Sequence, residues 1–254
     1  MIKPRSEQEL KLMRKSGEIT AKALKKALKT VKAGVNLLEI EEAAAKEILD
    51  RGGKLSFPTV GNYKWATCLT VNDELVHGIP RDIVLKAGDK ISIDVGAIYQ
   101  GWHTDAAWSV TVSGQGAVDS GQKNFLQIGE EALWKAIKQA VAGNTIGDIS
   151  GAIQSTIEQA GYSVSRTLIG HGVGKALHEE PEVPGFGKAG LGLILEKNMT
   201  IAIETIYAKG NSEVYLKDDG WTYAMKDGSL GGLFEMTVVV GEKKAEVLTD
   251  WRRV

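Results

Sequence analysis

Apolar positions near the start of the chain recur at helical spacing: Leu10, Met13, Ile19, Ala23, Ala27 and Val31 share one face. Ser6-Glu7-Gln8-Glu9 precedes them as a capping box, in which serine and the glutamate three residues on satisfy free backbone donors. The lysines between the apolar positions are most simply a solvated face, and Gly34 is placed to end the helix. A second helix is predicted over 37–51, stopped by Gly52-Gly53. After an irregular segment with Pro58 and Gly61, residues 66–71 read as a strand and Asn72-Asp73 as a turn. Ile91 and Ile93 then alternate with Ser92 and Asp94, and the β-rich run Trp108-Ser-Val-Thr-Val112 follows Asp105. Two strands joined by the 96–101 connection would hold Asp94 and Asp105 side by side. Gly114 and Gly116 punctuate the middle. Helices are predicted over 122–141 and 146–160, and short strands over 163–169, 199–206, 222–225 and 234–240.

The pattern repeats. Lys32-Ala-Gly-Val-Asn-Leu-Leu-Glu-Ile40, ending at Gly52, is echoed by Val141-Ala-Gly-Asn-Thr-Ile-Gly-Asp-Ile149, ending at Gly161; Gly34 and Gly143 lie 109 residues apart. Leu85-Lys-Ala-Gly-Asp-Lys-Ile-Ser-Ile-Asp94 is echoed by Leu195-Glu-Lys-Asn-Met-Thr-Ile-Ala-Ile-Glu204 at a separation of 110. Asp105 and Glu235 each open the final strand of a half. We therefore expect one domain over 1–254, with duplicated halves of roughly 7–112 and 120–250, each reading helix, helix, strands. Packed about a pseudo-twofold axis, the halves would bring Asp94, Asp105, Glu204 and Glu235 together. Four buried carboxylates need compensation. Two divalent cations would offset them, and oxygen-rich sites suit Mn, Fe(II), Co or Zn.

Charge and cysteine content narrow the class. Lys+Arg number 31 against 32 Asp+Glu, which gives no support for a nucleic-acid or membrane-surface partner. No apolar run approaches a membrane span, and the start, Met1-Ile-Lys-Pro-Arg-Ser-Glu, lacks an apolar signal core, so a cytoplasmic protein is expected. Cys68 is the single cysteine, which excludes an internal disulfide and a cysteine zinc cage. Of the four histidines, His171 sits in Ile-Gly-His-Gly-Val-Gly, where glycines permit close backbone approach and leave the imidazole accessible to complete a metal's coordination. His178, seven residues on, is too distant for a helical ligand pair and suits the substrate side. His77 lies between two turns and reads as facing a cleft, and His103 shares the face of Asp105 by alternation, as a support for a ligand or a partly exposed strand residue.

Asp94, Asp105, His171, Glu204 and Glu235, in that order and spacing, resemble the dinuclear metal centre of the methionine aminopeptidases and their pita-bread relatives. The surrounding segments agree: Val71-Asn-Asp-Glu-Leu-Val-His-Gly-Ile-Pro80, Gly170-His-Gly-Val-Gly174, His178-Glu-Glu-Pro181 and Phe234-Glu-Met-Thr-Val-Val-Val240. The similarity spans essentially the whole chain. The short interval from His171 to Glu204 and the short N-terminus match the compact bacterial type I enzymes. The resemblance implies an α+β pita-bread fold: an antiparallel β-sheet core covered by helices, in two pseudo-twofold-related halves. It implies two divalent metal ions, with Asp94 on one, His171 and Glu204 on the other, and Asp105 and Glu235 bridging. A water or hydroxide between the metals would attack the scissile carbonyl, with Glu204 as general base. His178 would hydrogen-bond the scissile peptide, and His77 would contact the substrate backbone. Tyr63, Cys68, Leu177 and Trp221 would form the apolar pocket for methionine, with Phe57 a further member.

The implied activity is removal of the initiator methionine from nascent proteins and peptides, with a small second residue. The implied partners are the N-terminal Met of nascent polypeptides and the ribosome surface, with no nucleic-acid substrate, no membrane and a monomeric state. The alternatives are a proline-directed peptidase of the same fold and a non-catalytic peptide-binding module. Four positions depart from the family pattern: Thr205 where proline is usual, Leu177 for an aromatic, Leu233 for glutamine and Gly61 for histidine. These bear on selectivity and efficiency.

Overall fold

Helix starts fall where the capping signals are. The computed structural model describes residues 4–114 and 119–254, so Met1 and Gly116 lie outside the described residues. In chain order the elements are α1 (Glu7–Thr30), α2 (Leu37–Asp50), β1 (Lys54–Leu55), β2 (Thr67–Val71), β3 (Glu74–Val76), β4 (Lys90–Tyr99) and β5 (Trp102–Thr111). Then come α3 (Ser120–Ile137), α4 (Ile146–Gln159), β6 (Ser163–Val164), β7 (Gly170–Gly172), β8 (Glu179–Val183), β9 (Thr200–Ala208), β10 (Val214–Leu216), β11 (Tyr223–Met225), β12 (Gly231–Val239) and β13 (Glu246–Val247). At α1, Glu9 N–H donates to Ser6 Oγ and the Glu9 carboxylate accepts from Ser6 N–H at 2.8 Å. Asn36 and Glu39 form the same box at α2, and the Asp148 carboxylate accepts from Thr145 N–H at α4. Each bond satisfies a backbone donor that the helix itself cannot.

Strands pair antiparallel in one ten-stranded sheet of order β1-β4-β5-β12-β9-β7-β8, with β2 also on β4, β6 on β9 and β13 on β12. A smaller sheet orders β10-β11-β3. The duplication is visible in the pairing. β1 follows α2 and pairs with β4, as β6 follows α4 and pairs with β9. The halves meet where β5 pairs with β12. Helices α1 and α2 pack together against the first half of the sheet, α3 and α4 against the second. Ile91, Ile93 and Val95 join Ile19, Leu24, Ile40 and Ile48 in the core under the helices. Alternation therefore turns Ser92 and Asp94 to the opposite face, away from the helices. Among the described residues, no helix is long and apolar enough to cross a membrane.

Several segments differ from expectation. Helix α3 starts and ends earlier than 122–141, because Asp119 caps it and Val141 is drawn into a bridge with Gly241. The strand expected over 163–169 stops after Val164, because Ser165 Oγ accepts from Thr167 and Leu168 N–H and competes with ladder formation. Strands β7 and β8, on either side of His178, were not predicted from the pattern. Strand β12 begins at Gly231, before the expected 234, because Gly231 and Gly232 pair with Ala208 and Tyr207.

Glu41 ties α2 to the sheet. Its buried carboxylate accepts from Ala66 N–H at 2.7 Å, Thr67 N–H at 2.9 Å and the Thr67 hydroxyl at 2.5 Å. Burial raises its pKa despite these bonds. Glu41→Ala leaves two buried N–H groups without acceptors, and should cost about 2–4 kcal/mol in urea denaturation. An unchanged midpoint would show that the β2 entry does not depend on this carboxylate.

Candidate metal centre

The acidic side chains converge because register places them in two neighbouring rows across the sheet. On β4, Asp94 lies opposite Cys68 of β2 and Ala107 of β5. Ala107 lies opposite Glu235 of β12, and Glu235 opposite Glu204 of β9. Two residues along each strand, on the same face, the next row holds Asp105 opposite Gly96, and Thr237 opposite Ala202, which is itself opposite His171 of β7. Thr237 closes this row between β5 and β12: its Oγ1 accepts from Asp105 N–H at 2.9 Å and donates to Asp105 O at 2.8 Å. Asp94 and Asp105 are thus diagonal neighbours, whereas Glu204 and Glu235 are directly opposed. The duplication preserved the acids and not their stagger.

His171 reaches the rows because both of its neighbours lack a side chain. A Cβ at Gly170 would lie 2.5 Å from Ala202 O, and one at Gly172 would lie 2.1 Å from Glu180 O. The His171 Nδ1–H donates to Gly172 O at 2.9 Å, since a carbonyl can only accept. That leaves the Nε2 lone pair facing Glu204 Oε1 at 3.5 Å. Burial first, then His178 and His77 nearby, lowers the His171 pKa to about 4, so the ring is neutral at pH 7. A lone pair aimed at a carboxylate is unfavourable unless a proton or cation lies between them.

Several independent features fit a divalent cation. Ligand atoms of Asp105, His171 and Glu235 lie within 4.8 Å of one another. Among the described residues, Asp94 Oδ1 and Glu235 Oε1 are buried with no hydrogen-bond partner. Burial, reinforced by neighbouring carboxylates, holds Asp94, Glu204 and Glu235 well above the usual carboxylate range. Burial raises Asp105 to about 7. A buried acid cluster with orphaned oxygens and a neutral histidine fixed by a backbone carbonyl is the donor set that metal ions select.

All five of these side chains line one cavity with His77, His178, Phe57, Val60, Tyr63, Cys68, Leu177 and Trp221. The four expected pocket residues and Phe57 are therefore brought to the carboxylate–histidine cluster. Phe57, Tyr63, Cys68 and Leu177 form a separate apolar cluster, with Trp221 packed on it. Tyr63 meets Trp221 edge-to-face at 5.0 Å, and its hydroxyl donates to Thr67 O at 2.7 Å. His178 stacks edge-on against His171 at 4.5 Å. His77 takes the left-handed backbone region, φ 58°, a costly conformation outside glycine. Burial and the nearby His178 lower its pKa to about 4.

Val60 was missed from sequence; a lone valine before Gly61 carries no signal of a pocket wall. His103 faces elsewhere than the cavity. Its Nδ1 bonds Ser56 Oγ at 2.7 Å and its backbone N–H donates to Gly174 O at 2.7 Å, which joins the turn before Phe57 to the loop before His178. Of the four departures, Leu177 lines the cavity, whereas Leu233 packs in another apolar cluster. Thr205 is buried with its hydroxyl unpartnered. Gly61 lies against Trp221, whose ring would stand 3.4 Å from an added Cβ.

A carboxylate–histidine cluster in a strand-built cradle between duplicated halves defines a class of metallopeptidases. The chain belongs to metallopeptidase family M24, whose pattern it matches over residues 11–242. It is 37% identical over 249 residues to methionine aminopeptidase 1 of Bacillus subtilis, covering 98% of this chain and 99% of that one. Its fold superposes on the crystal structure of methionine aminopeptidase from Thermotoga maritima with a TM-score of 0.95 at 40% identity, covering 98% and 99% of the two chains. Prolidase from Pyrococcus furiosus shares the fold at a TM-score of 0.76 and 23% identity, over 97% of this chain and 65% of that one.

Proposed function

We propose that the chain is a methionyl aminopeptidase, a metal-dependent hydrolase that removes N-terminal methionine from peptides and nascent proteins with a small second residue. The observation that carries this reading is that metal-ligand side chains and an apolar aromatic recess share one cavity. Asp94 would hold one divalent cation, His171 and Glu204 a second, with Asp105 and Glu235 between them; Mn, Fe(II), Co and Zn suit these donors. Such cations, when bound, polarise a carbonyl and make water acidic.

The remaining work falls to the chain's own side chains. Glu204 takes the proton of the attacking water and passes it to the departing amine. His178, kept neutral by burial, donates a hydrogen bond to the scissile carbonyl oxygen as charge develops there. His77 orients the substrate backbone from its strained turn. The substrate's free amine is drawn to the acidic end, and its thioether packs on the rings of Tyr63 and Trp221. His77 and His178 crowd the approach, which favours a small second residue. The sheet shared by both halves supports one catalytic domain over 1–254. The balanced charge and the substrate class support a cytoplasmic monomer acting on chains at the ribosome surface, with no nucleic-acid or membrane partner.

With Mn, Co or Fe(II) added, the protein is expected to cleave Met-Ala-Ser and to leave an X-Pro peptide intact. Preference for X-Pro would replace this reading by a proline-directed one. Cleavage of neither, with metal bound, would leave a peptide-binding module.

A further inference from the structure

Lys90 opens β4 and is wholly buried, a rare place for lysine unless the side chain has partners. Its Nζ donates to the backbone carbonyl of Glu74 at 3.0 Å and to Ser92 Oγ at 3.2 Å. Glu74 does not use its carboxylate for this contact. That group accepts from Arg81 at 2.5 Å, Lys217 at 2.8 Å and Val71 N–H at 2.9 Å. Ser92 Oγ lies 2.8 Å from Ser109 Oγ, which lies 2.7 Å from Leu233 O. The proton order follows from the groups themselves. A carbonyl only accepts and each hydroxyl carries one hydrogen, so Ser109 donates to Leu233, Ser92 to Ser109, and Lys90 to Ser92. Leu233 N–H returns a bond to Ser109 Oγ at 3.1 Å.

This buried relay touches β3, β4, β5 and β12 in turn. Each leads within a few residues to the site: β3 to His77, β4 to Asp94, β5 to Asp105 and β12 to Glu235. We propose that Lys90 is a positioning residue of the active site, a buried hydrogen-bond donor whose relay sets the mutual height of the strands presenting His77, Asp94 and Glu235. It lies outside the cavity and touches no reacting atom. Burial lowers the Lys90 pKa to about 7, yet the ammonium has three hydrogens and the neutral amine two, so both bonds form in either state. The proposal rests on the metallo-aminopeptidase reading.

Lys90→Met keeps most of the side-chain volume and removes the donor, whereas Ser92→Ala cuts the relay with little change in volume. Three quantities are measured well below each melting temperature: Mn(II) affinity by calorimetry on metal-stripped protein, kcat and KM for Met-Ala-Ser. Lys90→Met is expected to weaken Mn(II) binding and lower kcat about tenfold each, with KM less affected, as when support for a metal ligand is removed. Ser92→Ala should move both in the same direction by less, and decides the matter if Lys90→Met does not fold. A folded variant that melts earlier yet binds Mn(II) and turns over like the unaltered protein would overturn the proposal, leaving Lys90 a packing residue. If the unaltered protein fails to cleave Met-Ala-Ser, the functional reading fails, while the Mn(II) affinities still decide the role of Lys90.

Discussion

His178→Ala is expected to bind Mn(II) as the unaltered protein does and to turn over Met-Ala-Ser about 10²-fold more slowly, the usual cost of removing one hydrogen-bond donor to a developing oxyanion. The expectation combines two features of the site. The His178 ring lines the cavity and packs edge-on against His171, so it sits beside the metal-ligand cluster. His171 keeps its own orientation through the bond to Gly172 O, which the substitution does not touch. Burial holds His178 below its ordinary pKa, so near neutral pH it donates as a neutral imidazole. Calorimetry with Mn(II) and steady-state kinetics on one preparation separate binding from turnover. Unchanged turnover would refute the role given to His178; lost metal affinity would make it a support of the cluster instead.

Glu235→Gln should act in opposite directions on the metal-free and metal-loaded protein. The folded pKa of Glu235 lies well above the carboxylate range through burial and the neighbouring Asp105, Glu204 and Asp94. An unfolded glutamate ionises near pH 4.3. The folded chain therefore keeps a proton that the unfolded chain releases. The resulting stability is fully present below about pH 4 and is lost as pH rises through the folded value. Glutamine cannot ionise and loses nothing. Comparing the two proteins cancels the opposing contributions of the buried histidines and Lys90, which are common to both. At pH 8 without metal, Glu235→Gln should melt higher, each kcal/mol regained raising the melting temperature by about 2–4 °C in a chain of this size.

With Mn(II) the order should reverse. Cation binding needs ionised carboxylates and strengthens with pH. At a hundredfold excess over Kd it stabilises the unaltered protein by about 2.7 kcal/mol, and the variant forfeits that gain. Thermal melts from pH 6 to 8, with chelator and with Mn(II), test both signs. A metal-free variant that melts below the unaltered protein at pH 8 would show that Glu235 is not an uncompensated buried acid.

The legible parts of the molecule were those governed by local chemistry. The capping box at Ser6 and the 3.6-residue apolar period located the start of α1, though it ends at Thr30, short of Gly34, and α2 lies within a residue of the expected 37–51. The internal repeat paired Asp94 with Glu204 and Asp105 with Glu235, and the glycines around His171 marked an imidazole that the backbone must approach closely. Val141 and Ser165 show where this reasoning stops. Each has a local pattern that continues its element, yet a bridge to Gly241 and a side-chain bond to the backbone end it. Residues 179–183, given no element from their sequence, form β8 because β7 supplies a partner.

By itself, then, the sequence determined the helices, the main strands, the duplicated architecture and which acids and histidines are candidates to meet, because period, capping and residue chemistry are properties of the chain. Tertiary structure decided the register that opposes Glu235 to Glu204 while staggering Asp94 and Asp105, the meeting of that cluster with Tyr63, Leu177 and Trp221 in one cavity, and the burial of Lys90 against the Glu74 carbonyl. Those depend on which strands pair and at what offset. A one-residue slip would turn every one of these side chains to the other face, and only long-range packing excludes it.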